Sequence, residues 1–181
     1  MTDRENNYRC GLSSDKGGPM NEGQREVYGG AIAGMVATAT MSATMLVAHR
    51  FGLMHEPPPQ RIADAALAVA GGRQAPDWLR KSMAATGHFG FGAALGAAFA
   101  TLQRHYPAPL AAPVRGMLLA STVWFVSYQG WVPALGIMPS ARRDQPGRPL
   151  TMLVAHWIYG ATLGFCVGRA RRTARETTAS R

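Results

Sequence analysis

Charge is missing where a soluble helical protein would need it. Four long stretches of this 181-residue chain contain no Asp, Glu, Lys or Arg, although the chain holds 19 Lys and Arg and 10 Asp and Glu. A helix with one wet face places a charge every turn or so along it, so a soluble four-helix bundle is disfavoured. The same absence argues against a carboxylate relay or charged ion path through these stretches. Cysteine is also scarce: Cys10 and Cys166 are too few to staple a fold. No nucleotide-cradling loop, zinc-protease helix or nucleophile elbow occurs. With no acid–base pair either, the expectation is a protein that is not an enzyme and whose leading reading assigns no cofactor. Residues 1–27 carry Asp3, Glu5, Asp15 and Glu22 and no apolar core, which argues against a secretory signal. They read as a polar, disordered tail.

What remains is apolar length. About 20 apolar residues at a rise of 1.5 Å cross a hydrocarbon layer of about 30 Å. Residues 28–48, 82–103, 116–138 and 150–168 meet that requirement, with His88 and His156 the ionisable groups within the second and fourth. Gly, Ala, Ser and Thr are abundant in them, as in membrane helices that pack closely. Trp78, Tyr106, Trp131 and Trp157 lie toward the ends, as an interfacial belt requires. The expected fold is therefore all-α: an integral membrane four-helix bundle over residues 28–168, followed by a basic tail over 169–181.

The spans repeat. The run from His88 to Gly96 aligns with that from His156 to Gly164, with histidine, two aromatics and the glycines in register. Gly34-Met35-Val36 and Thr40 align with Gly116-Met117-Leu118 and Thr122, and both spans leave through Gly-Leu/Ile-Met near a proline. This pattern predicts a tandem, parallel repeat of a two-helix hairpin, related by a pseudo-twofold axis along the membrane normal. In the first connection Ile62, Ala65, Ala66 and Val69 recur at helical spacing with Arg61 and Asp64 opposite, predicting a surface helix over 60–70.

Eleven Lys and Arg fall on the side holding both termini and eight on the other, which favours cytoplasmic termini. The run Arg169, Arg171, Arg172 and Arg175 directly follows a span, so anionic lipid headgroups are its expected partner, not nucleic acid.

Small residues recur every four positions: Gly30 and Gly34; Gly92 and Gly96; Gly160, Gly164 and Gly168. Such stripes are helix-packing faces, serving the bundle itself, a homo-oligomer or another membrane protein. The leading functional expectation is accordingly a membrane protein acting through association. The alternative is a module that binds haem or a metal, or conducts a small solute, through His88 and His156. These continue the glycine stripes on one side of the membrane and are the candidate cofactor-binding pair. In a purely structural role each imidazole would donate to a backbone carbonyl or hydroxyl. Tyr128 and Gln129 are further polar groups at similar depth.

The segments GHFGFGAALGAAFATLQRHYP, VRGMLLASTVWFVSYQGWVPALGIMPS and AHWIYGATLGFCVG resemble the YagU-like bacterial inner-membrane proteins, a domain of unknown function, over roughly Gly29 to Arg172. The resemblance implies a multi-pass protein of the bacterial cytoplasmic (inner) membrane with an uncharacterised role in envelope or stress physiology.

Overall fold

The computed structural model describes residues 20–53, 57–72, 74–105 and 109–180, without the side chains of Arg104 and His105. Cys10, His55, Tyr106 and most of the expected N-terminal tail lie outside the described residues. Among those described, the chain is helical and contains no strand.

Helix α1 (Glu22–Arg50) starts inside the segment read as a tail. The reason is local: Asn21 Oδ1 accepts from the Gln24 backbone N–H at 2.8 Å, and Asn21 N–H donates to Gln24 Oε1 at 3.0 Å. This reciprocal cap satisfies two of the donors a helix start leaves open. Helix α2 (Pro58–Val69) occupies the first connection and begins on proline, whose missing N–H costs nothing at a first turn. Helix α3 is Asp77–His105. Helix α4 (Ala112–Phe125) runs into a π-helical stretch, Val126–Trp131, and a short α5, Val132–Ala134. Helix α6, Arg148–Ala179, carries the supposed basic tail onward as helix.

Two of these, α1 and α6, are long and apolar enough to cross a membrane by length and composition. At 29 residues α1 is roughly 43 Å long, more than the layer it would cross.

The helices pair as α1 with α3 and α4 with α6, and α1 joins the pairs by packing on α6. Both pairs close by direct backbone contact. A Cβ on Gly34 would overlap the Gly92 carbonyl, and one on Gly116 would overlap the Gly160 carbonyl. Likewise Gly96 sits against the Gly30 carbonyl and Gly164 against that of Ala112. Gly30 meets the Ala100 Cβ, while Gly168 meets the Ala112 Cβ. Each of these three α1–α3 contacts has a counterpart between α4 and α6, at the positions the sequence alignment equates.

The ends of the paired helices correspond as well. Gly52 and Gly136 adopt positive φ, 73° and 68°. Leu53 N–H then bonds the Ala48 carbonyl at 3.0 Å, and Ile137 N–H bonds that of Val132 at 3.1 Å. This left-handed cap satisfies carbonyls that a helix end would otherwise orphan. Eighteen residues separate Gly34 from Gly52 and twenty separate Gly116 from Gly136. The π stretch takes up part of the surplus, because its wider turn holds more residues. Pro133 accounts for its position: proline has no N–H for the Gln129 carbonyl and its ring presses on that turn.

Outside the seams, large apolar side chains face outward along the helices, among them Ile32, Leu46, Leu118, Phe125 and Phe165, each more than half exposed.

Candidate functional site

The glycine seams occupy the end of the bundle where α1 begins and α6 ends. There Arg171 of α6 donates to Glu26 of α1 and to the Ala100 carbonyl of α3, both at 3.1 Å. Toward the opposite end methionine and histidine stand among the small residues between the helices. The space between them is a cavity of about 370 Å³, within the usual range for small-ligand pockets of roughly 300–1,000 Å³.

Both candidate histidines line it, His88 from α3 and His156 from α6. An adjoining pocket of about 50 Å³ is again walled by both, together with Met41 and Tyr159. Other wall positions fall in pairs under the alignment that equates the glycine contacts: Met41 with Val123, Met45 with Ser127, and Ala84 with Met152. The cavity therefore lies where the two helix pairs meet, each contributing the same four positions.

The two imidazoles are held differently. His156 Nδ1 lies 2.7 Å from the Met152 carbonyl one turn back. A carbonyl accepts only, so Nδ1 carries the proton and Nε2 keeps its lone pair in the neutral ring. His88 Nε2 is buried with no hydrogen-bond partner. An orphaned buried nitrogen costs about 1–3 kcal/mol, so His88 is not explained as a packing lock, whereas His156 does make the backbone bond a structural role requires. Among the remaining polar wall groups, Ser127 Oγ donates to the Val123 carbonyl at 2.6 Å and the Tyr128 hydroxyl donates to Asp144.

Asp144 and Arg148 were not singled out by the sequence, since a connecting segment normally keeps its charges in water. Here both side chains are 3% exposed and pair at 3.5 Å. The Asp144 carboxylate accepts from Tyr128 and from the Gln145 N–H at 2.8 Å. This latch ties the segment before α6 to the π stretch. Beside it Tyr128, Val132 and Met138 form a small apolar cluster that Ile62 of α2 joins.

Helix α2 covers one side of the cavity with Pro58, Pro59, Ile62, Ala63 and Ala66. The predicted apolar stripe is rotated in part: Ala63 is buried, while Val69 is 91% exposed. Arg80 of α3 holds the helix in place through Asp64, at 2.6 Å and 2.7 Å. That guanidinium holds the Asp64 carboxyl below its ordinary value.

Among the described residues no three His, Cys, Asp or Glu come together as a metal group. Trp157 Nε1 donates to Ser121 Oγ at 2.9 Å, joining α6 to α4, and Trp78 stands 68% exposed near the start of α3. Cys166 is a free, half-buried thiol on α6 and does not line the cavity.

A family model described as a family of unknown function, DUF6789, matches residues 24–178. The chain belongs to the DUF6789 family. The match runs from the first turn of α1 nearly to the end of α6, so the seams and the cavity all lie within the family domain. It carries no link to the YagU-like proteins that the sequence resembles. No curated protein and no solved structure matches the chain.

Proposed function

We propose that this chain is a four-span protein of the bacterial cytoplasmic membrane, built from two related hairpins, that binds a small ligand between His88 and His156. The spans are α1, α3, the continuous helical stretch 112–134 and α6, with α2 lying at the surface. The outward-facing apolar side chains support a lipid environment. The matched glycine contacts, paired wall positions and equivalent caps support the duplication. The balance of Lys and Arg supports cytoplasmic termini, with the basic end of α6 against anionic headgroups. The cavity then opens on the face away from the cytoplasm.

One observation carries the binding reading. Two histidines from equivalent helices wall the same cavity, and one presents a buried nitrogen with no protein partner. Ligand sites at the junction of repeats are the common arrangement in duplicated membrane proteins.

The association reading has less support in the fold than in the glycine spacing alone. Gly30, Gly34, Gly92, Gly96, Gly160, Gly164 and Gly168 all meet neighbours within the chain, so a second copy or another membrane protein would have to dock elsewhere.

The test is purification from native membranes, with mass spectrometry for small molecules and lipids, elemental analysis and an absorption spectrum. A bound species lost from His88→Ala and His156→Ala together supports the reading. Material that carries nothing differing between wild type and these variants counts against it. A liposome flux assay on the same variants checks the conducting version, where equal fluxes would remove it.

A further inference from the structure

The walls of the cavity contain an unusual concentration of sulfur. Met41, Met45, Met83, Met138 and Met152 all line it, half of the 10 methionines in the chain. They come from α1, α3, α6 and the segment after α5, so no single amphipathic stripe brings them together. With them stand two imidazoles and, among the described residues, no carboxylate or thiolate.

Donor type selects the metal. Thioether and imidazole are soft or intermediate neutral ligands, and thioether in particular favours Cu(I) over zinc, calcium or magnesium. Zinc sites use Cys, His and carboxylate and are usually four-coordinate; among the described residues no three such groups meet. A monovalent ion also suits an apolar cavity better than a divalent one, because less charge must be desolvated.

The histidine geometry fits a ligand role. Metal-binding histidines donate their second N–H to a carbonyl or carboxylate, which fixes the tautomer and orients the ring. His156 does so through Nδ1 and the Met152 carbonyl, leaving Nε2 with its lone pair. His88 Nε2 is buried without a protein partner. Met41 lines both the large cavity and the adjoining pocket, as do both histidines.

We propose that the cavity is a Cu(I) site, with His88, His156 and Met41 as its ligands and Met45 and Met152 as neighbouring thioethers. The site rests on the ligand-binding reading of the same cavity and narrows it to a soft monovalent cation. Helix α2 lies across its side, so the ion enters past Pro58 and Ile62 from the face away from the termini.

The experiment uses the full chain in detergent, with Cys10→Ser and Cys166→Ser in every sample so that no thiol competes. Cu(I) is titrated anaerobically against a chromophoric Cu(I) chelator. One Cu(I) per chain is expected, weakened roughly a hundredfold in His88→Ala and His156→Ala and about tenfold or more in Met41→Leu. Leucine keeps the volume and removes only the sulfur, so Met41→Leu should unfold within a few degrees of its parent. No Cu(I) held against the chelator, equal retention of Zn(II), or unchanged affinity in Met41→Leu and both histidine variants would each overturn the site. An organic molecule co-purifying through His88 and His156, with no Cu(I) bound, would overturn the copper site and leave the ligand-binding reading standing.

Discussion

The two ends of this bundle are held together by different means. At the end where the chain enters and leaves, helices meet through glycine, and carbonyl oxygens rest where side chains would be. At the other end methionines and histidines hold the helices apart, and the structure is closed by the Tyr128–Asp144–Arg148 latch and by α2. Close backbone packing dominates the first end, with Arg171 bonded across it, and the latch and α2 close the second. A single helix can thus be closely packed over half its length and line a cavity over the other. Helix α3 does this within one turn, since Gly92 touches α1 while His88 faces open space.

The contrast is broken most strongly at the open end. Asp144→Ala removes the carboxylate that faces the buried Arg148, and losing one partner of a buried pair costs about 3–5 kcal/mol. Thermal unfolding in detergent should register this as a larger loss than any glycine or methionine substitution in the bundle; a shift no greater than that of a surface mutant would show the latch to be idle. At the closed end Gly34→Ala or Gly160→Ala drives a methyl group into a facing carbonyl, at a cost of about 1–3 kcal/mol. The internal control is Gly90→Ala, two residues from Gly92, where an added Cβ meets nothing within 4 Å. There alanine should be neutral or stabilising by up to about 1 kcal/mol, and equal effects at Gly34 and Gly90 would erase the distinction between seam and surface.

Smaller effects sharpen the same picture. Met45→Leu and Met152→Leu at the cavity wall should cost less than about 1.5 kcal/mol each, because volume is conserved in a region already loosely filled. The clamp on α2 should be weaker still. Asp64 and Arg80 are 27% and 41% exposed, which places the pair under about 1 kcal/mol. Because pairing lowers the Asp64 pKa, its contribution is complete above the unfolded carboxylate value and is lost as pH falls through the folded one. A spin label on Val69→Cys should therefore become more mobile below about pH 4, and in Asp64→Asn it should be mobile at every pH. Unchanged mobility across that range would mean that α2 is held by its apolar face alone.

Much of this was legible in the amino-acid sequence. The glycine spacing specified which faces pack, although not that Gly34 finds Gly92 and Gly116 finds Gly160. The shared register of His88 and His156 indicated a common depth; only the pairing of α1 with α6 brings them to one cavity. Asp144 and Arg148 were hidden because a charge in a connection normally reads as solvated, and nothing local distinguishes one that folds inward. The methionines were invisible as a group, since each reads alone as core filler and their convergence depends on four separate segments. The π stretch had a signal in Pro133, but the surplus length it helps absorb appears only when the glycine-to-glycine intervals are compared.

That stretch has a mechanical consequence. A wide turn behaves as a slip joint between two lengths of stiffer rod. The residues before Val126 take their register from the contact with α6, while those after Trp131 take theirs from the cap at Gly136 and the rim of the cavity. Tyr128 and Trp131 line the cavity from within the joint, and Gly116 lies ten residues before it begins. The stretch from α4 to α5 thus has its widest turn at the cavity wall and its tightest packing at Gly116.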